Sequence, residues 1–307
     1  MLTNRWLWLA VLFLIRITLG FQFQSVGSVS LQLRADLGIG HAEIGTLIGL
    51  YMLPGVVIAL PSGLLIKRFG DMRTVGYGLL LMIIGAIFLG LSESFTLAIL
   101  GRIVSGTGLV LLNVTLTKMV IDWFAGREIR TAMGVMLASW PFGIALGLVT
   151  QGALADAYSW QFVMFLTGAA SAAALIPLLF LARVAPPSAG VEKNVALYTL
   201  TRRELLLVSL AGIAWGAFNA GFAIYISFTP GLLIADGFSA TDAAALVSIG
   251  VWITILSVPI GGFLTEHFGR PQTSIVLFSL LIAITLGLFP YLAIPAVLAV
   301  LFGLWMG

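Results

Sequence analysis

Side chains able to do chemistry are few in this sequence of 307 residues, and most of them stand alone inside long apolar runs. Cysteine is absent, which removes thiol nucleophiles, thiolate metal ligands and disulfides together. The two histidines, His41 and His267, fall in loops on opposite sides of the expected topology and build no shared metal site. No HExxH, GxxxxGK[ST] or GxSxG pattern occurs. What remains is a scatter of polar residues: Arg16, Gln24, Arg102, Asn113, Lys118, Trp140 and Asn219. Enzymes that work at membranes need acids, nucleophiles or metal ligands clustered at one depth, and none is clustered here. The expectation is a protein that recognises a solute, without catalysis, cofactor or metal.

Arg16 lies near the middle of the first apolar run, where a charge costs at least about 2.5 kcal/mol on insertion scales and must face a cavity or a partner. Its helical stripe continues through Gly20, Gln24 and Gly27. A guanidinium there either holds a carboxylate or other small oxyanion by a planar pair of N–H donors, or is neutralised by helix-end carbonyls or an acidic side chain. Every Asp and Glu falls in a loop or near a span end, so no mid-membrane carboxylate is at hand as counter-charge or proton relay. Arg102 begins a stripe with Gly106, Asn113 and Thr117, and reads either as part of a cavity wall or as an arginine packing helices near the outer interface. Lys118 is expected to extend to the headgroups. Asn219 shares a face with Trp215 and Phe222 and is the substrate-contact candidate in the second half. Trp140 and Tyr51 are weaker cavity candidates, and Trp6 and Trp8 read as interfacial anchors.

The elements that carry these residues follow from composition. Hydrophobic residues make up 60% of the chain and charged ones 9%, against roughly 25% charged in a soluble domain. That excludes a soluble globular protein, and the net charge of +3 is dispersed among short loops, not gathered on a face that binds nucleic acid. Apolar runs long enough to cross a bilayer are expected at about 6–28, 43–66, 74–91, 95–121, 131–154, 160–183, 204–228, 241–264, 273–290 and 292 to the end. The first has a positive start but no small-residue cleavage site, and is read as a retained membrane helix. With the N-terminus inside, Arg5, Lys67, Arg68, Arg73, Arg127, Arg130, Arg183, Lys193, Arg202, Arg203 and Arg270 all fall on the cytoplasmic side, and only Arg34 lies outside. A misplaced span would have scrambled that division, so the count of ten gains independent support. The polar stretch at 184–203, with Pro186, Pro187 and Gly190, is expected to link a bundle at 1–183 to a second at 204–307. If the second bundle matches the first, two helices are missing after Gly307; a ten-helix protein is the alternative.

The two halves also share a short repeat. Residues 61–74, PSGLLIKRFGDMRT, align with 260–273, IGGFLTEHFGRPQT, through Gly63/Gly262, Leu65/Leu264, Phe69/Phe268, Gly70/Gly269 and Thr74/Thr273. Both are inner loops after the second helix of their bundle. Their charges are exchanged, Lys67 and Asp71 in one copy against Glu266 and Arg270 in the other. Gly63 and Gly262 are expected to permit close helix approach, and Gly70 and Gly269 a tight turn.

These loops resemble the GxLxDRxGRR signature of the major facilitator superfamily. Gly63, Leu65, Arg68 and Gly70 match in the first copy, and Gly262, Leu264, Gly269 and Arg270 in the second, where Glu266 keeps the acidic position. Lys67 and Asp71 depart from it. RIVSGTG, Arg102 to Gly108, is similar to the family's fourth-helix pattern, and ASWPFGIALG, with Pro141, is partly similar to its antiporter motif. The first two spans resemble the cyanate permease-like and nitrate porter-like branch. The resemblance implies two six-helix bundles, of which ten helices are present here. It also implies gating by Gly63, Arg68, Gly70, Asp71, Gly262, Glu266, Gly269 and Arg270. The expected function is secondary transport of a small anionic solute across the inner membrane by alternating access, with proton or counter-anion coupling. Multidrug or amphipath efflux and a non-transporting membrane fragment or assembly subunit are the alternatives.

Overall fold

The computed structural model describes residues 5–125, 128–184, 201–268, 271–291 and 294–306. For residues 60, 130, 181–184, 208, 211, 259, 262–268 and 271 it describes the backbone alone. The expected linker at 184–203 thus lies almost wholly outside the described residues. The chain divides into two compact units, Met1–Ser188 and Ala189–Gly307.

The first unit contains α1 (Arg5–Ser28), α2 (Ser30–Leu37), α3 (His41–Leu50), α4 (Pro54–Phe69), α5 (Asp71–Gly90), α6 (Phe95–Phe124), α7 (Ile129–Ala157) and α8 (Trp160–Val184). The second contains α9 (Arg202–Ala235), α10 (Ala240–Phe268), α11 (Pro271–Leu288) and α12 (Pro295–Trp305). Among the described residues, eight helical stretches are long and apolar enough to cross a membrane, and two shorter apolar helices follow. That matches the ten runs expected, with two differences at helix ends. The helix after Arg5 breaks at Val29 but resumes as α2, whose polar sequence SLQLRADL carries no hydropathy signal. Asp36, on α2, accepts from the indole of Trp160 at 2.8 Å and from Gln161 at 3.0 Å, and Gln32 donates to Asp156 at 2.6 Å. Likewise α9 continues through Pro230 to Ala235, since a membrane helix tolerates an interior proline.

The second expected run is one span made of two helices. Pro54 has no N–H to give the carbonyl of Leu50, and Tyr51, Met52 and Leu53 form a tight turn between α3 and α4. Small residues set the packing of the first unit, because in lipid helices associate by close backbone approach. Gly78 and Gly85 of α5 face Gly108 and Gly101 of α6, and a Cβ on any of the four would strike the other helix. Gly20 of α1 sits on the carbonyl of Trp140, and Gly143 of α7 on that of Ile17. In the second unit the Tyr225 hydroxyl donates to the carbonyl of Val247 at 2.9 Å, and its ring stacks on Phe302 at 3.8 Å. Ser257 donates to the carbonyl of Gly303 at 2.6 Å.

Candidate functional site

Arg16 is 6% exposed and sits where α1, α6 and α7 meet. Its Nη1 donates to the carbonyl of Met136 on α7 at 2.6 Å, and its Nη2 to Oδ1 of Asn113 on α6 at 3.0 Å. Sequence reasoning gave no reason to single out Met136, since its contribution is a backbone oxygen. Pro141 cannot make the usual bond to the carbonyl of Leu137, so the ladder of α7 is interrupted here. The neighbouring Met136 carbonyl receives both Arg16 and the hydroxyl of Ser139, the latter at 2.5 Å. Among the described residues Arg16 has no ion pair with a carboxylate; the ion pairs found are Arg5 with Glu128 and Lys118 with Asp71 and Asp122. Of the readings open at the sequence level, neutralisation by an acidic side chain is therefore not what the described residues show. Asn113 is exposed, so this guanidinium lies one side chain beneath an open face of the unit.

Trp140 stands one helical turn beyond Met136 on α7, half-buried, with its ring 5.5 Å from Phe23. Gln24 departs from the expected site. It is 1% exposed, donates to Ser28 at 3.2 Å and packs on Gly147 in the seam between α1 and α7, about 12 Å along the helix from Arg16. Gln151 donates to the carbonyl of Phe21 at 2.7 Å in the same seam. Asn219 lies in the second unit and donates to the carbonyl of Trp215 on its own helix at 2.8 Å. The face that carries it is graded, from Trp215 at 65% exposed to Phe222 at 7%.

Arg102 does not line a cavity. It is 1% exposed, and each of its three nitrogens meets a backbone carbonyl: Nε that of Leu47 at 2.9 Å, Nη1 that of Gln22 at 3.3 Å and Nη2 that of Phe23 at 3.4 Å. Its guanidinium also covers the ring of Tyr51 at 4.4 Å. Tyr51, read as a cavity candidate, is fully buried there, donating to the carbonyl of Leu19 at 3.2 Å and to Oε1 of Gln22 at 3.4 Å. The expected stripe on α6 is thus split, because α1 and the turn after α3 enclose its Arg102 end and leave Asn113 open. Gln22, which the sequence reading passed over, ties this cluster to α5 by donating to the carbonyl of Met82 at 3.0 Å. A second amide in the apolar run, six residues after Arg16, was the available signal.

The gating candidates separate similarly. Gly70 adopts φ +81° and makes the expected tight turn. Gly63 has open space where a Cβ would point, so no helix approaches it within this unit. Arg68 is exposed, its guanidinium 5.5 Å from the ring of Phe69. Asp71 is buried and taken up within its own unit: Lys118 bonds both its oxygens at 3.2 Å and Asp122 at 2.6 Å. Lys118 therefore bridges two carboxylates and does not extend to the headgroups. Trp8 is likewise no interfacial anchor, being 9% exposed with its ring 6.4 Å from Trp123. Gly262 and Glu266 lie on α10 where only the backbone is described, and Gly269 and Arg270 lie outside the described residues. Among the described residues no cluster of metal-ligating side chains occurs.

Comparison with known proteins supplies the family. The sequence is 29% identical over 143 residues, 47% of this chain and 31% of the relative, to a probable L-galactonate transporter of Escherichia coli (strain K12). It is 22% identical over 270 residues, 80% of this chain and 60% of the relative, to a hexuronate transporter of Bacillus subtilis (strain 168). The chain thus matches less than two thirds of the length of either relative. Its fold is similar to the crystal structure of a bacterial homolog of the human lysosomal transporter Spinster, with a TM-score of 0.76 at 17% identity, covering 100% of this chain and 73% of that one. The profile of the Major Facilitator Superfamily matches residues 12–307. With eight membrane-length apolar stretches and two shorter apolar helices among the described residues, and a sequence match across both units, this multi-pass membrane chain belongs to the Major Facilitator Superfamily, whose members are transporters and not enzymes.

Proposed function

We propose that this chain is a secondary transporter of a small organic anion, with sugar acids as the first substrates to try. The observation that carries the reading is Arg16: a guanidinium 6% exposed, with no carboxylate paired to it among the described residues, beside the exposed amide of Asn113. A buried cation in a membrane needs a counter-charge, and an anionic solute supplies one. The named substrates of two relatives, L-galactonate and hexuronate, are acids of this kind. In this reading bundles at 1–183 and 204–307, joined at 184–203, alternate access to the solute in an inner membrane with the N-terminus cytoplasmic; Arg16, Asn113 and Trp140 are the contacts proposed in the first bundle, and Asn219 is the candidate of the second.

Coupling follows from the acids. In the described structure they sit at helix ends, as Asp71 and Asp122 do, so exchange against a second anion is favoured over a proton relay through the membrane centre. Proteoliposomes made with the full chain test both points. Uptake of labelled glucuronate driven by internal glucuronate and lost in Arg16→Gln is expected. Uptake that persists in the variant would remove Arg16 from the site.

A further inference from the structure

We propose that the seam between α1 and α7 holds a sodium ion, bound by the side-chain oxygen of Gln151 and by the oxygens of Ser28 where α1 breaks off. The proposal does not depend on Arg16, which lies about three turns away along α1. Gln151 is fully buried, and its amide is fixed in orientation because Nε2 donates to the carbonyl of Phe21 on α1 at 2.7 Å. Its Oε1 is then sealed from solvent with no hydrogen-bond partner among the described residues. A buried amide oxygen without a donor is costly, and a native fold keeps one where a water or an ion completes it.

The neighbouring groups favour an ion, because they too offer oxygens. The Ser28 hydroxyl accepts from Gln24 Nε2 at 3.2 Å and reaches the carbonyl of Gly147 only at 3.5 Å, the long limit of a hydrogen bond. α1 ends at Ser28 and the chain becomes helical again at Ser30; the backbone bonds found across the break run from Val29 to Ser25 and from Leu33 to Val29. The Ser28 carbonyl, which faces Gly152 of α7, thus stands at a helix C-terminus, where partial negative charge gathers. A helix end of this kind, joined by side-chain oxygens, suits sodium in a membrane protein. Glycine makes the room: a Cβ on Gly147 would stand 3.0 Å from Gln151 Oε1 and 2.9 Å from the stem of Gln24. The ligands are neutral, and Asp156, the next acid along α7, accepts from Gln32 at 2.6 Å. Neutral oxygens select a monovalent ion over a divalent one, which draws on carboxylates. Ser28 is half-buried, so the ion has a way in from that end of the seam.

The test is equilibrium binding of radiolabelled sodium to the full chain in detergent, with thermal unfolding in sodium chloride and in choline chloride of equal concentration beside it. Holding chloride constant removes any effect of the anion. Saturable sodium binding and a higher melting temperature in sodium are expected, with a smaller shift in potassium because the space left by Gly147 is tight. Gln151→Leu removes the oxygen and is expected to lose about 30-fold in sodium affinity, the worth of one contact to a charge. Gly147→Ala fills the space and should abolish the sodium shift. In case those variants misfold, Gln151→Glu supplies a second readout: it puts a carboxylate in the same place but gives up the bond to Phe21. It should be less stable than wild type in choline and recover in sodium. Equal melting temperatures in the two salts with no bound sodium overturn the proposal and leave Oε1 to a buried water. Sodium binding undiminished in folded Gln151→Leu, or no recovery of Gln151→Glu by sodium, overturns it as well.

Discussion

Arg16 and Arg102 are both arginines buried in the first unit and both lack a carboxylate partner among the described residues, yet their surroundings differ in kind. Arg102 is saturated: carbonyls from α1 and α3 take its three nitrogens, and the ring of Tyr51 covers its face. Among the described residues Arg16 has one backbone acceptor, one side-chain amide acceptor and one nitrogen without a partner. A buried charge in a membrane protein is therefore not in itself evidence of a site. The donors left over after the fold has been satisfied are. Arg102 clasps the turn between α3 and α4 against α1, whereas Arg16 leaves one N–H without a partner among the described residues.

Exchanging the two roles by mutation is the way to break this comparison. Arg102→Ala removes charge-assisted bonds to three carbonyls and is expected to destabilise the fold by about 3 kcal/mol after allowing for the relief of burying a charge. Arg16→Gln, which retains a hydrogen-bonding amide, is expected to cost under about 1 kcal/mol. Unfolding in detergent, followed by tryptophan fluorescence, compares them; equal losses would make both arginines structural. Gly106→Val comes next, because a Cβ at Gly106 would overlap the Tyr51 carbonyl and press apart the clasp around Arg102. Overpacking of this kind costs typically about 1–3 kcal/mol, and carboxylate binding by the protein that remains folded should survive. A variant as stable as wild type would show that the turn after α3 can move without loss.

The smallest effects sharpen the contrast. Tyr51→Phe keeps the ring beneath Arg102 but loses the hydroxyl bonds to Leu19 and Gln22, for an expected loss of about 1 kcal/mol. Asn113→Ala alters an exposed side chain and should stay within about 0.5 kcal/mol of wild type. A larger loss at Asn113 than at Tyr51 in chemical denaturation would mean that the Arg16 pair is as structural as the clasp.

Much of the architecture was legible before any coordinates, because the bilayer imposes a length and a polarity that composition alone reveals. The apolar runs, the alternation of basic loops, the GxLx(K/E)(R/H)FG repeat and the isolation of Arg16 are one-dimensional properties. Helix ends were less legible: α2 carries no hydropathy signal, α9 runs on through Pro230, and α3 and α4 share one apolar run. The positive-φ turn at Gly70 could be anticipated, since only glycine adopts it without strain.

Which buried polar group is spent and which is free was decided by tertiary structure. Arg16 and Arg102 look alike in sequence, each an arginine with small and amide residues on its stripe. The oxygens that distinguish them are mainly backbone carbonyls of Leu47, Gln22, Phe23 and Met136, which every sequence contains and none advertises. Lys118 and Asp71 are 47 residues apart, and their pairing likewise waits on α5 and α6 being drawn together by glycines. The chain's sequence thus determined that it spans a membrane, to which family it belongs and where its charges are confined, because those follow from solvent, helix geometry and shared motifs. Only the packed helices determined which charge has hydrogen bonds to spare, because satisfaction of a buried donor depends on backbone acceptors that distant segments bring to it.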